Sequence, residues 1–278
     1  MTVFRTPYRI DIVQPVYFVI DSFAQLAASL DTDVGAMIDE AKRLGDLPAL
    51  PLSLEHVTQL NLSGVRLTED GANDFLRSFP RLRDLQLNNN ALSRLPEAVD
   101  SLDALTRLEV SHNRLRNSAE LQRQLRPLQH LEWLDLSMNT LDSLDVTGLN
   151  QLRTLNVSGN RLVRWPVAVL DLPELSTLDL SNNQIEDVSI SILELNHNRL
   201  MAGTDITDNY LDRNALEVLR DYEAETGIGL GYTRTEIESQ LSEFDDIDDS
   251  SETERDEDLE TGDNESGQVQ KDRWFKDV

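Results

Sequence analysis

A short apolar pattern recurs through the middle of this chain, and it restricts the possible folds more than any other feature. The pattern reads L-x-x-L-x-L-x-x-N-x-L, with valine or isoleucine replacing leucine in places. Five clear copies begin at Leu82, Leu105, Leu131, Leu152 and Leu175. Two weaker copies begin at Val57 and Ile190, and the first has Val65 where asparagine is expected. A period between about 20 and 50 residues indicates a solenoid or a related repeat architecture.

The spacing within one copy predicts how the repeats stack. Leucines at the fourth and sixth positions alternate as on a β-strand and point to one face. One repeat cannot bury that face alone, so neighbouring repeats must stack against it. The asparagine at the ninth position is expected to bond to backbone groups of adjacent turns. Copies start 21 to 26 residues apart, except that the last starts 15 residues after its predecessor and is expected to be truncated or irregular.

This unit resembles the leucine-rich repeat, which implies an α/β solenoid. We expect a leucine-rich-repeat horseshoe of about seven repeats with helical caps and a disordered acidic C-terminal tail. The predicted divisions are an N-terminal segment and helical cap (1–49), leucine-rich repeats (50–203), a C-terminal helical cap (204–232) and an acidic disordered linker or tail (233–278). The C-terminal cap is expected to contain a helix from Arg213 to Thr226, ended by glycine.

The segments that return from one strand to the next are expected on the convex side. Pro96 and Pro166 favour short extended or turn structure there over long helices. The stretch from Asn117 to Leu128 is longer and is compatible with a helix. Trp165 replaces a convex-side leucine, so we expect it to lie in the core.

The charge of the chain limits the classes of partner that it is expected to bind. The formal net charge is −26. A surface this acidic repels phosphate backbones and anionic lipid heads, so neither nucleic acid nor membrane is expected as a partner. Residues 233–278 hold 17 acidic and 5 basic residues, and this density of like charge predicts disorder. No apolar run approaches the roughly 18 residues that a membrane span requires, so no membrane insertion is expected.

The sequence offers no convincing catalytic or metal-binding constellation. It has no cysteine, which excludes disulfides, thiolate metal sites and a thiol nucleophile within these residues. The four histidines have no metal-ligand spacing. The glycines of residues 227–231 follow a helix and lack the Lys-Ser/Thr of a phosphate loop. We therefore expect no metal, no small-molecule cofactor and no enzyme activity.

The residues between the core leucines alternate outward onto the concave strand face, where we place the binding site. The candidate partner-binding residues are Asp84, Gln86, Arg107, Glu109, Trp133, Asp135, Thr154, Asn156, Thr177 and Asp179. Trp133 is the exception among these mostly polar side chains. An outward tryptophan beside Arg107 and Asp135 has the composition of an interface hot spot. Alternatively, its ring folds over neighbouring side chains.

A second resemblance concerns the segment that follows the repeats. The repeats together with Asp208 to Tyr232 resemble bacterial effectors of the leucine-rich-repeat novel E3 ligase type and related toxin-like proteins. Residues 208–211 and 226–228 match the closing segment of that family in outline, and Arg273-Trp274 matches the start of its ligase domain. The resemblance implies a substrate-recognition part that is secreted into a host cytoplasm. The family's catalytic cysteine has no counterpart here, so ligase activity is not expected of this chain.

Two functions follow from these observations. The leading hypothesis is a protein–protein interaction module, the substrate-recognition part of a bacterial effector-type E3 ubiquitin ligase, which is not itself catalytic. The alternative is a free-standing leucine-rich-repeat scaffold or an inhibitor of an intracellular enzyme, in which case the protein is expected in the cytoplasm. In both, the partner is a protein bound on the concave face. Solenoid folds host many unrelated partners, so the sequence does not identify the target.

Overall fold

Within the part of the chain that the structure describes, eight parallel strands form one sheet in simple chain order. The computed structural model describes residues 18–20, 54–55, 57–68, 72–116, 119–188 and 198–253. The strands are β1 (Phe18–Ile20), β2 (Val57–Asn61), β3 (Asp84–Gln86), β4 (Arg107–Glu109), β5 (Trp133–Asp135), β6 (Thr154–Asn156), β7 (Thr177–Asp179) and β8 (Thr204–Asp205). β1 pairs in parallel with β2. The rest of the predicted N-terminal segment and cap lies outside the described residues.

The register of the sheet matches the repeat of the sequence. Equivalent leucines stand side by side on successive strands: Leu60, Leu85, Leu108, Leu134, Leu155 and Leu178. Each of them is at most 2% exposed. They belong to one continuous core that runs along the stacked repeats. The predicted leucine-rich-repeat solenoid is therefore confirmed.

Two of the connections between strands contain short 3₁₀ helices that start after proline. 3₁₀ helices at Glu97–Ser101 and Val167–Asp171 begin directly after Pro96 and Pro166. Helix α1 (Asn73–Leu76) lies between β2 and β3, and helix α2 (Ala119–Leu125) lies within the stretch predicted to be helical. Trp165 is 5% exposed and belongs to the core, as expected.

The asparagines of the repeats bond adjacent turns to each other. Asn113 Nδ2 donates to the carbonyl oxygens of Leu87 (3.0 Å) and Val110 (3.0 Å). Its Oδ1 accepts the backbone N–H of Leu92 at 2.9 Å. One buried side chain thus satisfies backbone groups of its own repeat and of the preceding one, whose burial would otherwise be costly. The same pattern recurs at Asn90, Asn139, Asn160 and Asn183.

The assignment of the last repeat is wrong. Asn198 and Leu200 lie in helix α3 (Asn198–Ala202). Strand β8 instead pairs Thr204 with Leu178, which places the seventh repeat at Met201, Thr204, Ile206, Asn209 and Leu211. Asn209 makes the characteristic bonds, accepting Ile185 N–H at 2.9 Å and donating to Leu180 O at 3.0 Å. The predicted boundary between residues 203 and 204 therefore falls inside this repeat.

Two helices follow the seventh repeat. Helix α4 (Arg213–Thr226) has the bounds that the sequence predicted. The Asp212 carboxylate caps it by accepting the Ala215 N–H at 2.7 Å, and Gly227, with φ of 73°, ends it. Its inner face buries Ala215, Leu216, Leu219 and Tyr222.

The prediction of disorder from residue 233 is wrong for residues 234–253, which form helix α5 (Arg234–Thr253). Ile237 is fully buried and Leu241 is 9% exposed, and both belong to the continuous core. Phe244 packs against the same core. This apolar stripe offsets the ordering entropy that the charge pattern alone would not offset. Residues 254–278 of the predicted tail lie outside the described residues. No helix in the described part of the chain is long and apolar enough to cross a membrane.

Candidate functional site

The sheet register brings the ten candidate residues together in two rows. Position three of the repeat supplies one row, which reads Asp84, Arg107, Trp133, Thr154 and Thr177 in strand order. Position five supplies the second row, which reads Gln86, Glu109, Asp135, Asn156 and Asp179. All ten side chains are partly or fully exposed. We call the surface formed by these rows the strand face.

The seventh repeat extends the strand face by one residue that the sequence analysis missed. Asp205 pairs in register with Asp179 and so continues the second row. It was missed because the last repeat was assigned to the wrong residues. The asparagine of the Asp208-Asn209 turn could have revealed it, since Asn209 lies 26 residues after Asn183.

Trp133 and Arg107 form the most distinctive contact on the strand face. The guanidinium carbon of Arg107 lies 4.2 Å from the centroid of the Trp133 ring, which is a cation–π geometry. Trp133 nevertheless stays 36% exposed. One face of the ring is thus covered by the Arg107 guanidinium, while part of the side chain remains accessible. That Trp133 is an interface hot spot stays a prediction.

Arg107 is held in place by the carboxylate two residues further along its strand. Its Nε donates to Glu109 Oε1 at 2.7 Å. Glu109 Oε2 in turn accepts Asn88 Nδ2 at 3.0 Å, and Asn88 Oδ1 accepts the Ser111 N–H at 2.8 Å. This chain of bonds restricts the conformations open to the Arg107 side chain.

Asp84 is the least satisfied carboxylate among the described residues of the strand face. Its Oδ1 is buried without a hydrogen-bond donor among the residues that the structure describes. Its Oδ2 lies 4.0 Å from Arg107 Nε. Burial raises the pKa of Asp84 above its usual value, the Arg107 charge opposes this rise, and the Glu109 charge adds to it.

Three aspartates of the second row share one local geometry. Asp135 Oδ1 accepts the Ser137 N–H at 2.9 Å, and Asp179 Oδ1 accepts the Ser181 N–H at 3.0 Å. Asp205 Oδ1 likewise accepts the N–H of Thr207 at 2.9 Å. Asn61 and Asn156 make the same bond to the residue two positions on. These turns fix Oδ1, and within the described ranges no donor is bonded to Oδ2 of the three aspartates.

A second surface lies on the side of the fourth and fifth repeats. Val163 and Val167 are 48% and 65% exposed there, and they line an open cleft of about 600 Å³ with Asp142 and Asp145. The pKa of Asp145 is lowered by hydrogen bonds from Thr147. Among the described residues no group of histidine, aspartate and glutamate side chains could hold a metal ion.

Comparison with known proteins finds similarity to leucine-rich-repeat proteins. Leucine-rich-repeat family models match residues 55–115 and 174–195. The chain is 32% identical over 188 residues to human "Leucine-rich repeats and immunoglobulin-like domains protein 1", covering 63% of this chain and 17% of that protein. It is 31% identical over 180 residues to lumican from Rattus norvegicus, covering 59% of this chain and 51% of lumican. It is also 32% identical over 148 residues to adenylate cyclase from Podospora anserina, covering 51% and 7%.

These similarities concern the repeats and not whole proteins. The chain spans about half the length of lumican and far less of the other two relatives. The matched relatives give no support to the resemblance to bacterial ligase effectors, whereas they support the leucine-rich repeat itself.

Proposed function

The chain carries leucine-rich repeats, and from this premise we propose that it is a protein-binding module whose target docks on the strand face. Repeat solenoids use their curved inner surfaces to bind partners. The observation that carries the proposal is the exposed Trp133 ring, stacked by Arg107 at mid-sheet. Tryptophan and arginine are enriched among the residues that dominate binding energy at protein interfaces.

A non-catalytic role is part of this proposal. The chain contains no cysteine, so these residues cannot by themselves carry ubiquitin as a thioester. The role that the chain performs is then selection of a target, with any chemistry supplied by another protein or another domain.

One observation favours the free-standing scaffold over the ligase effector. The residues Asp208 to Leu211, which carried much of the ligase resemblance, form the asparagine turn of the seventh repeat. The same turn occurs in the other repeats of this chain that have asparagine at the ninth position, so it does not distinguish the ligase family. Substrate recognition for a ubiquitin ligase, with secretion into a host cytoplasm, is the second proposal, and a cytoplasmic scaffold is the first.

A pair of matched variants tests the strand face. The full chain, Trp133→Ala and Val167→Ala are immobilised, and proteins retained from a eukaryotic cell lysate are compared. Both substitutions remove an exposed apolar side chain, one on the strand face and one at the start of the 3₁₀ helix Val167–Asp171. We expect proteins retained by the wild type and by Val167→Ala to be lost with Trp133→Ala. Targets lost equally with both variants, or only with Val167→Ala, would refute docking on the strand face.

A further inference from the structure

The charges of the strand face are strongly unbalanced. Its rows contain five carboxylates and one guanidinium, namely Asp84, Glu109, Asp135, Asp179, Asp205 and Arg107. The guanidinium is bonded to Glu109. Asp135, Asp179 and Asp205 therefore lack a neutralising cation among the described residues, and we call these three the acidic row.

Two carboxylates of the acidic row lie on adjacent strands. Asp179 and Asp205 are direct partners on adjacent parallel strands. Strands in a sheet lie about 4.8 Å apart, and like charges opposite each other on neighbouring strands destabilise the sheet. The turn bonds to Ser181 and Thr207 fix the Oδ1 atoms, so the carboxylates cannot rotate freely to reduce this repulsion. A cation placed across the row would remove it.

Resting on the proposed function, we infer that the docked target segment is basic: an extended stretch of protein that presents lysine or arginine to the acidic row. The Oδ2 atoms of the acidic row can accept charge-assisted hydrogen bonds from the ammonium or guanidinium groups of such a segment.

The geometry of the sheet sets the reach of this segment. The row extends from β5 to β8, which is three strand spacings, or about 14 Å. An extended chain advances about 3.3 Å per residue, so basic residues about four positions apart span the row. The exposed part of Trp133, next to Asp135 in β5, provides an apolar contact for the carbon stem of a long basic side chain.

The chain itself supplies the design of a mild test. Asn61 and Asn156 occupy the same position of the repeat and make the same turn bond as the three aspartates. The triple variant Asp135→Asn/Asp179→Asn/Asp205→Asn therefore removes three charges and keeps the Oδ1 acceptors. The matched control is Asp103→Asn/Asp171→Asn/Asp187→Asn, which removes three charges from exposed positions outside the strand face.

The probe is a labelled ten-residue (Lys-Ala)₅ peptide, with (Glu-Ala)₅ as the negative probe, titrated into each full-length protein at low and physiological salt. Since one exposed ion pair contributes a few tenths to about 1 kcal/mol, we expect the acidic-row variant to bind (Lys-Ala)₅ about tenfold more weakly. The control triple variant should change binding less than about twofold. Equal weakening by the two triple variants, or no binding of (Lys-Ala)₅ to the wild type, would overturn the inference.

The outcomes separate this inference from the proposed function. A captured target that is lost with Trp133→Ala but retained by the acidic-row variant would keep the strand face as the docking surface and refute a basic segment. A target that is retained with Trp133→Ala but lost with Val167→Ala would refute the proposed function itself.

Discussion

Arg107 and Trp133 concentrate the chemistry of the strand face at the scale of single residues. The sequence placed both residues on the same face, because alternation along a strand fixes which side chains point outward. It did not predict the 4.2 Å stacking contact or the bond from Arg107 to Glu109, since these depend on side-chain rotamers. The sequence pattern thus predicts which residues lie on the strand face, and side-chain packing decides which of them contact each other.

Asp84 gives a pH-dependent prediction at this scale. Burial raises its pKa, so its ionisation costs more in the folded than in the unfolded state. The contribution of Asp84 to the free energy of unfolding is fully present below the unfolded aspartate pKa of about 3.9. It is lost as pH rises through the raised folded pKa. Asp84→Asn should therefore stabilise the chain at neutral pH.

Urea unfolding of wild type and Asp84→Asn at neutral pH and near pH 3 would measure this difference. The gain should shrink towards the acidic condition, because the wild-type carboxyl is then protonated in both states. Exposed Asp103→Asn is the control and should show no such trend. A loss of stability in Asp84→Asn at neutral pH would show instead that the attraction to Arg107 outweighs burial.

At the scale of elements, the sequence predicts repeats well where leucine fills the core positions and poorly where it does not. In the seventh repeat Thr204 takes the place of a strand leucine, and its hydroxyl is satisfied by Leu200 O at 2.8 Å. Gly203 precedes it because a Cβ there would lie 1.9 Å from Ser176 O. Neither residue resembles the repeat pattern, so the sequence favours the nearby leucine series that begins at Ile190.

Helix α5 shows the complementary error. Acidic density predicted disorder, but Ile237, Leu241 and Phe244 recur at helical spacing and pack on the core. The capping bonds between Thr233 and Glu236 also mark its start, with the Thr233 N–H donating to Glu236 Oε2 at 2.7 Å. These bonds lower the pKa of Glu236. Periodicity was thus the better guide than charge in the first part of the segment.

Two asparagines test the corrected register. Asn209→Ala should destabilise the chain by about 2 kcal/mol, because it leaves several half-buried backbone groups without partners. Asn198→Ala should cost less than Asn209→Ala, because the position in the asparagine series is filled by Asn209. The midpoint of urea unfolding, followed by circular dichroism, gives both values. A larger loss for Asn198→Ala would restore the original assignment of the repeat.

At the scale of the whole molecule, stacking turns a repeated strand into an extended surface with a charge gradient. The Arg107–Glu109 pair lies on β4, whereas the acidic row occupies β5, β7 and β8. A target bound across the sheet therefore meets an apolar anchor near the middle and uncompensated negative charge towards the last strands. The fold supplies the shape of this surface, and only the outward residues make it specific.

Side-chain footprinting of the full chain, alone and with a captured target, tests docking on the strand face most directly. Trp133 on the strand face and Val163 and Val167 on the side cleft are all exposed to a labelling reagent in the free chain. We predict that the target lowers labelling of Trp133 several-fold and leaves Val163 and Val167 unchanged. Unchanged labelling of Trp133 with protection of Val163 and Val167 would contradict the account and place the partner on the side cleft.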